Sequence, residues 1–364
     1  MKLNIVSPHA SHYFGGMEAV TINMARNLAQ HGAEVRFITR AAEKQTENYL
    51  KLKSDDMKGL TCVEVQTALA TPMPDASWPT FYRIACDFGI AAQPYYQSLC
   101  DADLFVTHLS VDSLFVPGGI PNILHLHGSP DSVDPLMAAA IQLPRATIAH
   151  SASVAEWWVG RFPTLRPKVF LNGIDTSMFN GEVFADRPID ILYVGRFLNH
   201  KGVDDILEAA WPDCRVVLAG NGPMLDELRT IADRRGLSRI EFYDSPSTTK
   251  IRQLYRQAKI FACPSRGKEA LLTTLLEAGA SGCAVVTTSG SGMTDLVKDG
   301  VDAMVVNPAS PADLRSVFQT LLSDSSRRIA LAACLQEEIR HMWSWSSKSQ
   351  DLMELYQSAT LLGS

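Results

Sequence analysis

Short β-rich runs alternate with stretches of helical period almost from one end of the chain to the other, and few folds accommodate that order. Repeated βα units build parallel sheets, so the fold class is α/β. In the first half, strands are predicted at Leu3–Ser7, Val35–Thr39, Cys62–Val65, Leu104–His108, Ile123–His127 and Val169–Leu171. Met17, Val20, Met24 and Leu28 recur at helical spacing between the first two, and His31-Gly32 ends that helix. The stretch from Gly181 to Pro188 follows neither period and carries turn formers, which marks it as a linker. A second series follows, with strands at Ile191–Val194, Val216–Ala219, Ile240–Tyr243, Ile260–Cys263, Ala284–Thr288 and Met304–Val306. The expected domains are therefore 1–183 and 184–345, with a closing helix, 346–364, as a candidate to pack back on the first. Two such sheets facing one another leave a cleft, and open α/β sheets bind ligands at the carboxyl ends of their strands.

Composition narrows the partners. A chain of 364 residues, 46% hydrophobic and 20% charged, is long enough for two cores. Its formal net charge is −6 and it carries no block of basic residues, so nucleic acid is not an expected partner. The start, Met1 to Pro8, has too short an apolar run for a signal peptide, and no 18-residue apolar stretch occurs. Neither a membrane span nor secretion is expected, while peripheral contact with lipid stays open. Seven scattered cysteines, with no C-x-x-C pair, suit reduced thiols and a cytoplasmic setting.

The most specific signal runs from Cys263 to Gly282, where Glu269 and Glu277 stand eight positions apart. The segment passes from a strand end through a loop into an apolar helix, placing Glu277 about two turns inside. Carboxylates at these places can accept hydrogen bonds from sugar hydroxyls. Amides of the helix start between them, at Thr273, Thr274 and Leu275, suit a diphosphate. Arg196 and Lys201 follow a buried strand five positions apart, and both can converge on phosphate. Each charge-assisted contact of that kind contributes roughly 1.5 to 3 kcal/mol. Taken alone, this Arg and Lys are as readily surface cations, and the two glutamates solvated charges.

The 263–282 segment resembles the E-x(7)-E region of retaining GT-B glycosyltransferases, especially glycosyltransferase family 4. Landmarks in the same order cover nearly the whole chain: Gly15-Gly16-Met17-Glu18, Asn172-Gly173-Ile174-Asp175, Val194-Gly195-Arg196 with Lys201-Gly202, and Gly220-Asn221-Gly222-Pro223. The resemblance implies two Rossmann-like domains facing a deep cleft. The first would bind the acceptor and the second a nucleotide-diphosphate sugar. It implies that Glu269 contacts donor-sugar hydroxyls, Glu277 the nucleotide ribose, and Arg196 and Lys201 the diphosphate. Gly195, Gly220 and Asn221 would shape the nucleotide pocket, and the amides of Gly15 and Gly16 would lie near phosphate or acceptor. One departure stands out: Ala270-Leu271-Leu272 occupies the place of the family's Gly-Phe-Gly, restricting the backbone and adding bulk beside the sugar.

His125 and His127 close a predicted strand on one face, and the resemblance makes one of them, His127 or else His125, the histidine that faces the donor sugar. As a metal pair they lack a third ligand at recognisable spacing, so no metal site is expected. Asp101-Ala102-Asp103 has the D-x-D form of metal-binding GT-A enzymes, but it precedes an apolar strand where that motif ends one. Metal-independent transfer, with no cofactor beyond the donor substrate, is the resulting expectation. The alternatives are a sugar-nucleotide epimerase or hydrolase of the same plan, and a non-catalytic sugar-nucleotide-binding subunit.

Overall fold

The computed structural model describes residues 1–11, 16–41, 60–67, 78–130, 132–267, 273–289, 293 and 296–361. The chain divides into two units, Met1–Gly173 with Trp345–Ser364, and Ile174–Ser344.

The first unit is built on a seven-stranded parallel sheet: β1 Lys2–Val6, β2 Glu34–Arg40, β3 Leu60–Val65, β4 Leu104–Thr107, β5 Asn122–Leu126, β6 Ala146–Ala149 and β7 Lys168–Val169. The order β3-β2-β1-β4-β5-β6-β7 places β1 centrally, with Leu3 opposite both Val35 and Leu104. Strands covered on both faces must be apolar throughout, and every residue of β4 and β5 is buried. The helix Gly16–Gln30 buries Val20, Met24 and Leu28 on one face. The final helix, Trp345–Leu361, puts Trp345, Leu352 and Tyr356 into the same core. Phe88, Ala92 and Tyr96, from the helix Trp78–Ser98, cover the other face against Val6, Ile38 and Phe105.

The second unit carries a six-stranded parallel sheet in the order β10-β9-β8-β11-β12-β13. Its strands are β8 Ile189–Val194, β9 Val216–Gly220, β10 Ile240–Asp244, β11 Ala258–Cys263, β12 Ala284–Thr288 and β13 Met304–Val306. In both sheets the strand order reverses beside the first strand, at β1/β4 and at β8/β11. Such switch points leave a crevice at the carboxyl ends of the strands.

Two expectations change. β6 is an additional strand; its sequence Ala146-Thr147-Ile148-Ala149 has only two β-formers, and its place between β5 and β7 supplies the rest. The expected linker, 181–188, lies inside the second unit, so the division falls between Gly173 and Ile174. Side chains stitch that stretch down: Gln336 Nε2 donates to the Gly181 carbonyl at 2.7 Å, and buried Arg187 donates to the carbonyls of Glu182, Tyr255, Ala258 and Ser281.

Candidate functional site

The carboxyl ends of β8 and β11 bring several candidate residues to one edge of the second sheet. β8 ends at Gly195-Arg196, where the Tyr193 hydroxyl donates to the Arg196 carbonyl at 2.8 Å and fixes the turn. The Arg196 side chain is exposed, and Lys201, closing the short turn Asn199–Lys201, is half-buried. The loop after β11 is latched against that turn. Arg266 N donates to the His200 carbonyl at 2.7 Å, and Ser265 Oγ donates to the same oxygen at 2.9 Å. The Arg266 guanidinium also bridges Asp204 and Asp205, at 2.7 and 2.6 Å. Those two carboxylates hold its pKa above the ordinary arginine value. Arg266 is thus a latch with its charge already neutralised, whereas Arg196 has no ion pair among the described residues.

The loops after β8 and β9 touch backbone to backbone. A Cβ on Gly220 would stand 1.9 Å from the Gly195 carbonyl oxygen. Phe197 N donates to the Asn221 carbonyl at 2.8 Å, and Asn221 Nδ2 donates to Ser245 Oγ at 3.0 Å, tying in the loop after β10.

From the β11 loop the chain reaches the helix Thr273–Ala280. Thr273 and Thr274 are half-buried in its first turn. Leu275 is not a site side chain: it is fully buried in the core, because it lies on the inward stripe of an apolar helix. Only its backbone amide remains for a ligand. Glu277 is half-buried and accepts from the Tyr255 hydroxyl at 2.9 Å through Oε2. Desolvation pushes its pKa up to about 7, against the opposing pull of that hydrogen bond. Gly16 opens the first helix of the first unit and is exposed. Glu269, Gly15 and Ala270-Leu271-Leu272 lie outside the described residues.

In the first unit, three neighbouring strands each end in histidine, and the parallel ladder gathers the rings. His108 follows β4, His127 follows β5 and His150 follows β6, with His125 inside β5. His108 Nδ1 lies 2.7 Å from His127 Nε2, and the rings of His127 and His150 stack with centroids 4.4 Å apart. His125 Nδ1 lies 2.9 Å from His150 Nε2, while its Nε2 meets the Tyr356 hydroxyl at 2.8 Å. Both nitrogens of His125 are therefore spent inside the core, which leaves His127, half-buried, as the ring that can meet a ligand.

Burial lowers the pKa of all four rings, with neighbouring imidazoles adding to the effect for His108, His125 and His127. His150 falls to about 4. The expectation that the His125/His127 pair lacks a third ligand is overturned, because His108 brings the ligand nitrogens of all three within 4.8 Å of one another. Strand pairing, not sequence spacing, supplies it. Recruiting His125 to an ion would require breaking its bond to His150 or to Tyr356. His150, Tyr255 and Tyr356 carry no functional signal in the sequence, and His108 is marked there only as a strand end. For His108 the mark is an apolar run closed by histidine; Ala146-Thr147-Ile148-Ala149 before His150 is a weaker run of that kind.

These rings make the first unit acid-sensitive. A histidine whose folded pKa is depressed contributes stability that is complete above its unfolded value, about 6.5, and is lost as pH falls toward the folded value. His108, His125 and His150 are fully buried, so each contributes a loss of stability on going from pH 7.5 to 5.5. Asp112 works in the opposite sense: burial pushes its pKa up to about 7, so it gains protons on folding and returns about 2 kcal/mol over that interval. The depressed rings outnumber the one raised carboxyl, so a net loss of stability in the first unit is expected, read from urea midpoints at the two pH values. Unchanged or greater stability at pH 5.5 would contradict neutral buried imidazoles.

Comparison with known proteins identifies the family and the fold. Residues 175–333 match the family Glycosyl transferases group 1, and residues 14–178 match Glycosyltransferase Family 4. The chain is 26% identical over 252 residues to alpha-maltose-1-phosphate synthase of Mycolicibacterium smegmatis, a match spanning 61% of this chain and 65% of that protein. Less than two thirds of that relative's length is thus covered. Identity is 23% over 392 aligned positions to D-inositol 3-phosphate glycosyltransferase of Xylanimonas cellulosilytica, spanning 95% and 92%. Among solved structures, sucrose-phosphate synthase from Thermosynechococcus elongatus superposes with a TM-score of 0.81 at 18% identity, over 98% of both chains. Anabaena HepE in complex with UDP-glucose gives 0.78 at 18% identity, over 98% of this chain and all of that one. At such identity the likeness is one of fold, the GT-B plan of two α/β units. With both of its halves matched by that family's profiles, the chain belongs to the group 1, family 4 glycosyltransferases.

Proposed function

We propose that this protein transfers a sugar from a nucleotide-diphosphate sugar to an acceptor hydroxyl or amine, with retention of anomeric configuration and without a divalent metal. The observation that carries the reading is the latch at the β8/β11 switch point, which joins the Arg196/Lys201 turn to the strap leading toward Glu277. In this reading Arg196 and Lys201 hold the diphosphate, aided by the amides of Thr273, Thr274 and Leu275. A departing nucleoside diphosphate gains negative charge as the glycosidic bond breaks, so fixed cations bind it more tightly in the transition state than in the ground state. Glu277, with Oε2 steadied by Tyr255, receives ribose hydroxyls, and Glu269 receives hydroxyls of the sugar. Gly195, Gly220 and Asn221 shape the floor of the pocket. Gly15, Gly16 and His127 belong to the first unit, to which this reading assigns the acceptor, with His127 as the histidine that meets the transferred sugar. The UDP-glucose bound to Anabaena HepE supports the donor class. No helix among the described residues is long and apolar enough to cross a membrane, and seven free thiols support a reducing, cytoplasmic setting.

A panel of nucleotide sugars with candidate acceptors tests the reading, with product stereochemistry read by proton NMR. An inverted anomer, or activity abolished by chelator and restored by manganese, would overturn the corresponding part. Donor exhausted as fast without acceptor as with it would mark a hydrolase or epimerase. A non-catalytic donor-binding protein is the second reading, favoured by Ala270-Leu271-Leu272 in place of Gly-Phe-Gly. Tight donor binding by calorimetry without transfer to any acceptor would establish it.

Glu277 supplies a pH test. Ribose hydroxyls donate to the carboxylate form, so donor binding favours the deprotonated state and weakens as pH falls through about 7. The KM for donor is expected to rise about tenfold from pH 8 to pH 6, and Glu277→Gln should remove most of that slope. A slope kept intact in the Gln variant would take Glu277 out of the donor site.

A further inference from the structure

The ring hydrogens of the histidine cluster follow from one carbonyl. His150 Nδ1 lies 3.0 Å from the Phe170 carbonyl oxygen, which only accepts, so the His150 hydrogen is on Nδ1. Its Nε2 must then accept, and the atom facing it at 2.9 Å is His125 Nδ1, which carries the hydrogen in turn. His125 Nε2 is left as an acceptor for the Tyr356 hydroxyl at 2.8 Å. Tyr356, His125, His150 and Phe170 form one chain of hydrogen bonds, each link setting the next, and all of it neutral.

The second pair obeys the same accounting. One of His108 Nδ1 and His127 Nε2, 2.7 Å apart, donates to the other. His108 Nε2 is buried and has no hydrogen-bond partner. If His127 donated, His108 would carry its hydrogen on that orphaned Nε2, leaving a buried N–H unmet, the rarer and costlier outcome. With His108 donating, only a lone pair is left unmet. His127 then carries its hydrogen on Nδ1. That nitrogen has no protein partner among the described residues and is not among the buried unsatisfied atoms, so solvent or a ligand reaches it. His150, stacked on the ring at 4.4 Å and itself held by Phe170, restricts its rotation.

We propose that His108 is a positioning residue, which by donating from Nδ1 to His127 Nε2 fixes His127 as a neutral hydrogen-bond donor that presents Nδ1–H to an oxygen of the bound ligand. A ring of this kind offers a hydrogen and takes none away, so it orients a hydroxyl, ring or phosphate oxygen and is not a base in the reaction. The consequence for catalysis rests on the proposed function, in which His127 lies toward the transferred sugar; the tautomer does not.

The nitrogen-15 spectrum of the full chain, labelled at histidine and free of ligand, tests the tautomer whatever the reaction. The His127 signals are identified by their loss in His127→Asn. Protonated Nδ1 and unprotonated Nε2, unchanged from pH 6 to 8, are the expected result. Hydrogen on Nε2, or titration in that interval, would overturn the proposal. Two variants test the positioning. An asparagine side chain places its amide nitrogen where His108 Nδ1 stands, so His108→Asn should keep the tautomer and hold kcat within about threefold of wild type. His108→Phe, which fills the space without donating, should let both tautomers appear and lower kcat about tenfold while the donor KM changes little. Equal losses in the two variants, or a tautomer unmoved by His108→Phe, would assign His108 to packing alone. If the tautomer is as stated but His127→Asn leaves transfer unchanged, the reading of His127 as a ligand contact fails instead.

Discussion

With Arg196 and Lys201 both replaced by alanine, kcat for sugar transfer is expected to fall about 10⁴-fold, while the donor KM rises by no more than about tenfold. Each removed donor to a developing anion typically costs a factor of about 10² to 10³, because the loss is greatest where the charge is greatest, on the departing diphosphate. Arg196→Lys separates charge from shape: it keeps the cation but loses the planar fork, so an intermediate loss is expected. The site's frame should survive these changes. Arg196 is exposed and Lys201 half-buried, and the loop contact beside them is made by Arg266, Ser265 and the His200 carbonyl. Unaltered thermal unfolding of the double variant would confirm that. A kcat within about tenfold of wild type would remove these two residues from the chemistry and leave the diphosphate without its proposed partners.

The second large effect falls on stability. Gly220→Ala should destabilise the second unit by about 3 kcal/mol or more, since the added Cβ would meet the Gly195 carbonyl oxygen at 1.9 Å and neither backbone can yield without opening the other's turn. Gly236→Ala is the control. Its φ is +62°, with nothing within 4 Å of the added atom, so only the left-handed backbone is penalised, by about 1 kcal/mol. Chemical denaturation of both variants measures the difference. Equal losses would mean that the contact between the β8 and β9 loops relaxes freely, and that the floor of the proposed donor site is softer than its hydrogen bonds imply.

Much of the architecture is legible in the chain because both sheets bury their central strands on two faces, turning these into apolar runs such as Leu104-Phe105-Val106 or Ile191-Leu192-Tyr193-Val194. β6 escapes that test, since two of its four residues are alanine and its neighbours decide its state. The turn-rich stretch 181–188 reads as a linker because composition reports turns but cannot report that Arg187 and Gln336 bind its carbonyls. At the site, the E-x(7)-E pattern marks Glu277 without showing Tyr255, which reaches it from a separate helix. The histidines are the sharpest case. The sequence shows a pair, and only the order β4-β5-β6 reveals a cluster, because parallel pairing sets strand ends side by side that are distant along the chain.

The last helix, Trp345–Leu361, fills the core that the first strands of the chain begin, while the whole second unit intervenes in sequence. As the chain is made, the second unit can complete itself as it emerges, but the first must wait, with Leu3, Val35 and Val106 short of their final cover, until Trp345–Leu361 has followed. Strands made before the second unit mature after it, and losing that one helix would damage a sheet far from it in sequence.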